Sequence, residues 1–204
     1  MTPFVPTRAG FQATWNGMER SEVARVARDC AALIRMQTGL KEDLPDDPLE
    51  RLEQQAQADH PIPQNQAVLR VLPNASRDDP DVSAEFRHLT QDDLAAAKVA
   101  GLEHVVAVLS NKDTVTVERN QAQAVASALT TIRLIVADLL GITSDDDVER
   151  MNEELALGMD VGPDHERALD AESRRYWVGI FLATGYAQES LVDGMLGELR
   201  AAKR

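Results

Sequence analysis

The chain has 204 residues, enough for one well-buried core or at most two small ones, and its 44% hydrophobic and 27% charged residues sit within ordinary globular usage. Its net charge of −13 repels nucleic-acid phosphates unless a separate basic face exists, and its one cysteine excludes an intrachain disulfide. No stretch reaches the roughly 20 apolar residues of a membrane span.

The charge is concentrated. Residues 42–59 carry seven acids against Arg51 alone, and residues 144–160 carry seven against Arg150 alone. Each segment is therefore −6, which leaves the rest of the chain close to neutral. Aromatics are scarce at 4%, while Ala, Leu and Val are plentiful. Small apolar residues let helices approach closely, so the composition favours a mainly α fold.

At the N-terminus, Phe11, Ala13 and Trp15 alternate with Gln12 and Thr14, after a Thr7-Arg8-Ala9-Gly10 turn. This predicts a small β-hairpin or ribbon, which must lie on the helical body because two strands do not stand alone. No apolar run of signal-peptide type precedes it, and a single cysteine suits a reducing compartment, so a cytoplasmic location is expected.

A first helix is predicted over 19–38, closed by Gly39. Val23, Val26, Ala27, Cys30, Leu33 and Ile34 share one face, with Arg25, Arg28 and Arg35 opposite. Residues 40–66 hold Pro45, Pro48, Pro61 and Pro63 with few apolar anchors, and read as a flexible acidic, proline-rich connection within one domain spanning 1–204. Pro80 opens a helix to about residue 88, and Thr90-Gln91-Asp92-Asp93 reads as the cap of another reaching about 109. The strongest helical pattern covers 118–140, with Val125, Ala128, Leu129, Ile132, Ile135, Val136 and Leu139 on a broad apolar face. A short acidic helix follows Ser144. The last long helix, 165–202, contains Gly179, Gly185, Gly194 and Gly197, which lower its propensity enough to kink or split it.

The chemistry-bearing residues are sparse. Cys30 lies mid-stripe, where a thiol is usually an inert small hydrophobe, so it is expected to be buried. Glu85-Phe86-Arg87-His88 matches the Glu-x-x-His half-motif of di-iron bundles, but no second copy exists, so a surface or capping role is the better reading. There is no cysteine pair for zinc, no phosphate-binding glycine loop and no Gly-x-Ser-x-Gly elbow. No catalytic residue, metal or cofactor is assigned. The Arg25, Arg28, Arg35 face is the one candidate contact for nucleic acid or a partner, although Glu22 and Asp29 soften it. Arg133, between Ile132 and Leu134, calls for a carboxylate partner. Asp78, Asp79 and Glu85 are the candidates, in a structural network of Asp79, Glu85, Arg87 and Arg133.

Several motifs carry a resemblance. Leu69-Arg70-Val71-Leu72-Pro73-Asn74-Ala75, Asp78-Asp79 and Glu85-Phe86-Arg87-His88-Leu89-Thr90 occur in that order. They are followed by Ile132-Arg133-Leu134, Leu139-Leu140-Gly141-Ile142 and Gln188-Glu189-Ser190-Leu191-Val192. Over 10–195 the chain resembles an actinobacterial family filed as a domain of unknown function, which includes AosR-like oxidative-stress transcription regulators. The family's genes often lie near that of the ClpS proteolytic adaptor. The resemblance implies a cytoplasmic, α-helical, non-enzymatic regulator acting through protein or DNA contacts. AosR-like regulators are described as sensing through paired N-terminal cysteines, and here residues 1–17 contain none. The competing expectation is a helical enzyme or small-ligand-binding protein with a pocket around Arg133, Glu85 and Arg87. A third is a subunit that forms a homodimer through its long last helix.

Overall fold

The computed structural model describes residues 1–41, 47, 49, 61–76, 78–110, 114–156 and 169–203. The acidic, proline-rich connection expected over 40–66 falls mostly outside them, as do the end of the second acidic segment and the start expected for the last helix.

The architecture is mainly α with a small antiparallel sheet. Strands β1 (Val5–Thr7) and β2 (Gly10–Thr14) form the expected hairpin, with Val5 opposite Gln12 and Thr7 opposite Gly10. A third strand, β3 (Thr114–Val117), pairs antiparallel with β2, placing Phe11 opposite Val117 and Ala13 opposite Val115. The element is therefore a three-stranded sheet with β2 at its centre. Phe11, Ala13, Val115 and Val117 are all buried, so one face lies on the helices. Such burial supplies what an isolated hairpin lacks. Phe4 and Trp15 extend that face, with ring centroids 6.0 Å apart.

Helix α1 (Gly17–Thr38) starts from a capping box: the Asn16 side chain accepts from Glu19 N–H, and Glu19 accepts from the Asn16 backbone. Gly39 ends it in the left-handed conformation, φ 71°. The short α2 (Gln66–Val71) is capped by Asn65. Helix α3 (Pro80–Leu109) is one element of 30 residues, where the sequence suggested two. The Thr90 hydroxyl donates to the Phe86 carbonyl instead of capping a new helix, so the backbone ladder runs through.

Helix α4 (Ala122–Leu139) starts later than its apolar pattern, because β3 and a turn at 118–121 take the preceding residues. Among the described helices it alone combines the length and apolarity of a membrane crossing. It is the central helix of the bundle, packed against α2, α3 and the last helix, with Ile132 and Val136 fully buried. Helix α5 (Asp145–Ala156) is the acidic one. Asp147 accepts from the backbone N–H groups of Thr143 and Ser144, and the Ser144 hydroxyl accepts from Asp147 N–H. Helix α6 (Ala171–Ala202) runs unbroken for 32 residues despite its four glycines. Two of these make room for neighbours: a Cβ at Gly194 would stand 3.1 Å from the Phe11 ring, and one at Gly185 would stand 3.4 Å from Arg133 Nε. Close packing against the sheet and α4 outweighs their low helix propensity. The buried side chains form one continuous cluster.

Candidate functional site

The arginines of α1 do not form an open basic face. Arg25 donates to Glu22 at 3.1 Å and to Asp29 at 3.2 Å on its own helix. It also reaches the Tyr176 hydroxyl of α6 at 2.5 Å and lies over that ring. Tyr176 in turn donates to Glu22 at 2.9 Å. Burial, reinforced by that bond, pushes the Tyr176 phenol up to about 12, so it stays a neutral donor. Arg35 pairs with Glu103 of α3. Among the described residues, Arg28 is the member of the trio with neither an ion pair nor a hydrogen bond, and it is exposed.

Cys30 is buried in the stripe between Val26, Ala27 and Ile34. Desolvation pushes its thiol up to about 12, with the Asp29 charge adding to the effect. The thiolate that would react is thereby suppressed, and the surrounding side chains block access.

The four-residue network expected around Arg133 does not form. Asp79 caps α3, accepting from the N–H groups of Asp81 and Val82. Glu85 is exposed on α3 and joins neither arginine. Arg87 is buried, at 6% exposure, and donates to Gln91 Oε1 at 2.7 Å and Asn74 Oδ1 at 2.5 Å. Desolvation lowers its pKa below the usual arginine value. Arg133 belongs to a separate place. It donates from Nη1 to Gln188 Oε1 at 2.8 Å, and Gln188 donates on to the Thr130 hydroxyl at 2.7 Å. Its guanidinium lies 5.1 Å from the Phe181 ring centroid, and its Nε is buried with no partner. The carboxylate partner expected for it is replaced by an amide and an aromatic face, which hold a cation without neutralising it.

Arg87 and Arg133 consequently line different grooves. One runs between α2 and α3 beside Leu72, Pro73, Phe86 and Leu94. The other lies between α4, α5 and α6 beside Val148, Phe181, Tyr186 and Val192. The pocket of Arg133, Glu85 and Arg87 expected under the ligand-binding alternative is not assembled. Among the described residues, no three of His, Cys, Asp and Glu gather where they could hold a metal ion.

The scattered sequence motifs meet in pairs. Asn74 of the first touches Arg87 of the third. Arg70 of the first donates to the Ile142 carbonyl at 2.7 Å and pairs with Asp138, fastening α2 to the end of α4. Arg133 and Gln188 link two further motifs across α4 and α6. Arg70 and the Arg133–Gln188 pair tie one helix to another, and Arg87 ties α3 to the loop that follows α2. Sequence reasoning could not find the partners, since Gln91, Asn74 and Gln188 carry no charge to mark them.

A mainly α bundle with a small three-stranded antiparallel sheet packed on it, and with arginines held by amides instead of carboxylates, defines the class of the protein. The chain belongs to the family described as a domain of unknown function (DUF2017), whose model matches residues 1–195. No curated protein and no solved structure matches it.

Proposed function

We propose that the protein is a non-enzymatic cytoplasmic regulator that works by binding other proteins rather than by gripping DNA phosphates itself. The observation that carries this reading is the internal pairing of α1. Arg25 and Arg35 spend their charge on Glu22, Asp29 and Glu103, so the surface best suited to phosphate contact is largely neutralised within the chain. The chain as a whole carries a net charge of −13, which repels phosphates further.

The motif resemblance to AosR-like regulators supports placing this activity in the transcriptional response to oxidative stress. Thiol sensing by this chain is disfavoured, because its one cysteine is buried with a raised pKa. The oxidant signal is then received by a partner, and this protein transmits it through contact. The test is a comparison of transcript levels in the native host with and without the gene, before and after peroxide treatment. The account expects a peroxide-dependent set of transcripts to change, with Cys30→Ala complementing fully. An unchanged profile, or loss of complementation by a stably folded Cys30→Ala protein, contradicts it.

A further inference from the structure

We propose that the outer face of α6 pairs antiparallel with α6 of a second copy of this chain. Gly179, Leu182, Tyr186, Glu189, Asp193 and Leu196 follow each other at alternating spacings of three and four, the repeat that keeps residues on one seam of a helix. Leu182, Tyr186 and Leu196 are 38%, 44% and 41% exposed, an apolar stripe left uncovered on a helix that otherwise packs well. A Cβ at Gly179 would meet nothing within 4 Å, which makes an open socket on the same seam.

Charge identifies the occupant. Arg133 and Glu189 line the same groove, yet no ion pair joins them, and among the described residues neither has a partner of opposite charge: Arg133 is held by the Gln188 amide and the Phe181 ring. A surface that carries one unneutralised cation and one unneutralised anion side by side is complementary to itself under two-fold symmetry. In an antiparallel pair centred between Ala187 and Gln188, Tyr186 faces the second copy's Glu189, and Leu196 faces the second copy's Gly179. Leu182 faces the second copy's Asp193, whose short carboxylate turns to the solvent edge. Gly185 and Gln188 hold Arg133 beside the position where the second copy's Glu189 arrives. The symmetry then supplies the Arg133–Glu189 contact twice. The pairing does not depend on which regulatory partner the protein binds.

Sedimentation equilibrium of the full chain, from low micromolar to hundreds of micromolar, tests this. The wild type is expected to dimerise. Glu189→Arg is expected to raise the dissociation constant by at least about tenfold, because it removes two ion pairs and sets like charges together. Combining it with Arg133→Glu is expected to recover part of the loss. Should Arg133→Glu disturb the fold, chains carrying Tyr186→Cys mixed with chains carrying Glu189→Cys supply the second measurement, since antiparallel pairing cross-links them under mild oxidation. A wild type that stays monomeric throughout overturns the proposal, as does a folded Glu189→Arg protein that dimerises as tightly as wild type.

Discussion

The Val117 carbonyl oxygen lies 2.2 Å from where a Cβ on Gly10 would sit, and Gly10 has φ +130°. Two independent constraints therefore fix this residue. A side chain would collide with the backbone of β3, and the conformation itself is one that L-residues rarely adopt.

Gly10→Ala is therefore expected to cost about 3 kcal/mol or more, since the clash is with backbone that cannot rotate away. Denaturant unfolding measures it. A loss under about 1 kcal/mol would mean that β2 and β3 can separate without consequence.

The fold's legibility follows from how local each signal is. The hairpin shows because Phe11, Ala13 and Trp15 alternate beside a turn, and α1 shows because its apolar stripe and its closing Gly39 lie within two dozen residues, although its Asn16 cap reads in the sequence as the end of the strand before it. Strand β3 carries the same alternation, Thr114-Val115-Thr116-Val117, but four residues are too few to stand out without β2, about a hundred positions away. Thr90 and Asp93 imitate a helix start, and only the ladder continuing through them shows that they do not form one. Arg133 announces itself as a buried-side charge, whereas its partner Gln188 lies 55 residues on and looks like any surface amide.

Arg87 supplies a direct test of the arginine–amide clasps. Arg87→Ala strands Gln91 and Asn74 without their donor and leaves a gap, so a loss of about 2–4 kcal/mol is expected from denaturant unfolding. The paired substitution Arg87→Met with Gln91→Leu removes the donor together with one of its two acceptors and fills the gap, so it should recover part of that loss. A single substitution as harmless as a surface change would show that the clasp contributes nothing.

Cys30 should behave as core. A thiol reagent in excess is expected to label it no faster than the chain opens, while denatured protein labels at once. Rapid native labelling, at a rate proportional to reagent, would place the sulfur in reach of oxidants and return redox sensing to this chain.

Acid should loosen α5 through Asp147. The backbone N–H of Thr143, then the Thr143 and Ser144 hydroxyls, hold this carboxyl well below its ordinary 3.8. A carboxyl depressed in the folded state adds stability that is fully present above the unfolded pKa. That stability is lost as pH falls from there through the folded value. The α5 amides are therefore expected to lose hydrogen-exchange protection below about pH 4, and Asp147→Asn should show weakened protection already at neutral pH. Equal protection in wild type and variant at every pH would remove Asp147 as the clasp of this turn.

The central claim is that α1 spends most of its basic charge internally, through Arg25 and Arg35, so that the protein regulates through protein contacts. Fluorescence anisotropy of a labelled DNA duplex, titrated with the purified protein at low salt and again as salt is raised, tests it most directly. The account predicts no saturable binding at any salt concentration. Tight binding at low salt that weakens steeply as salt rises, and that is lost in Arg28→Glu, would contradict it.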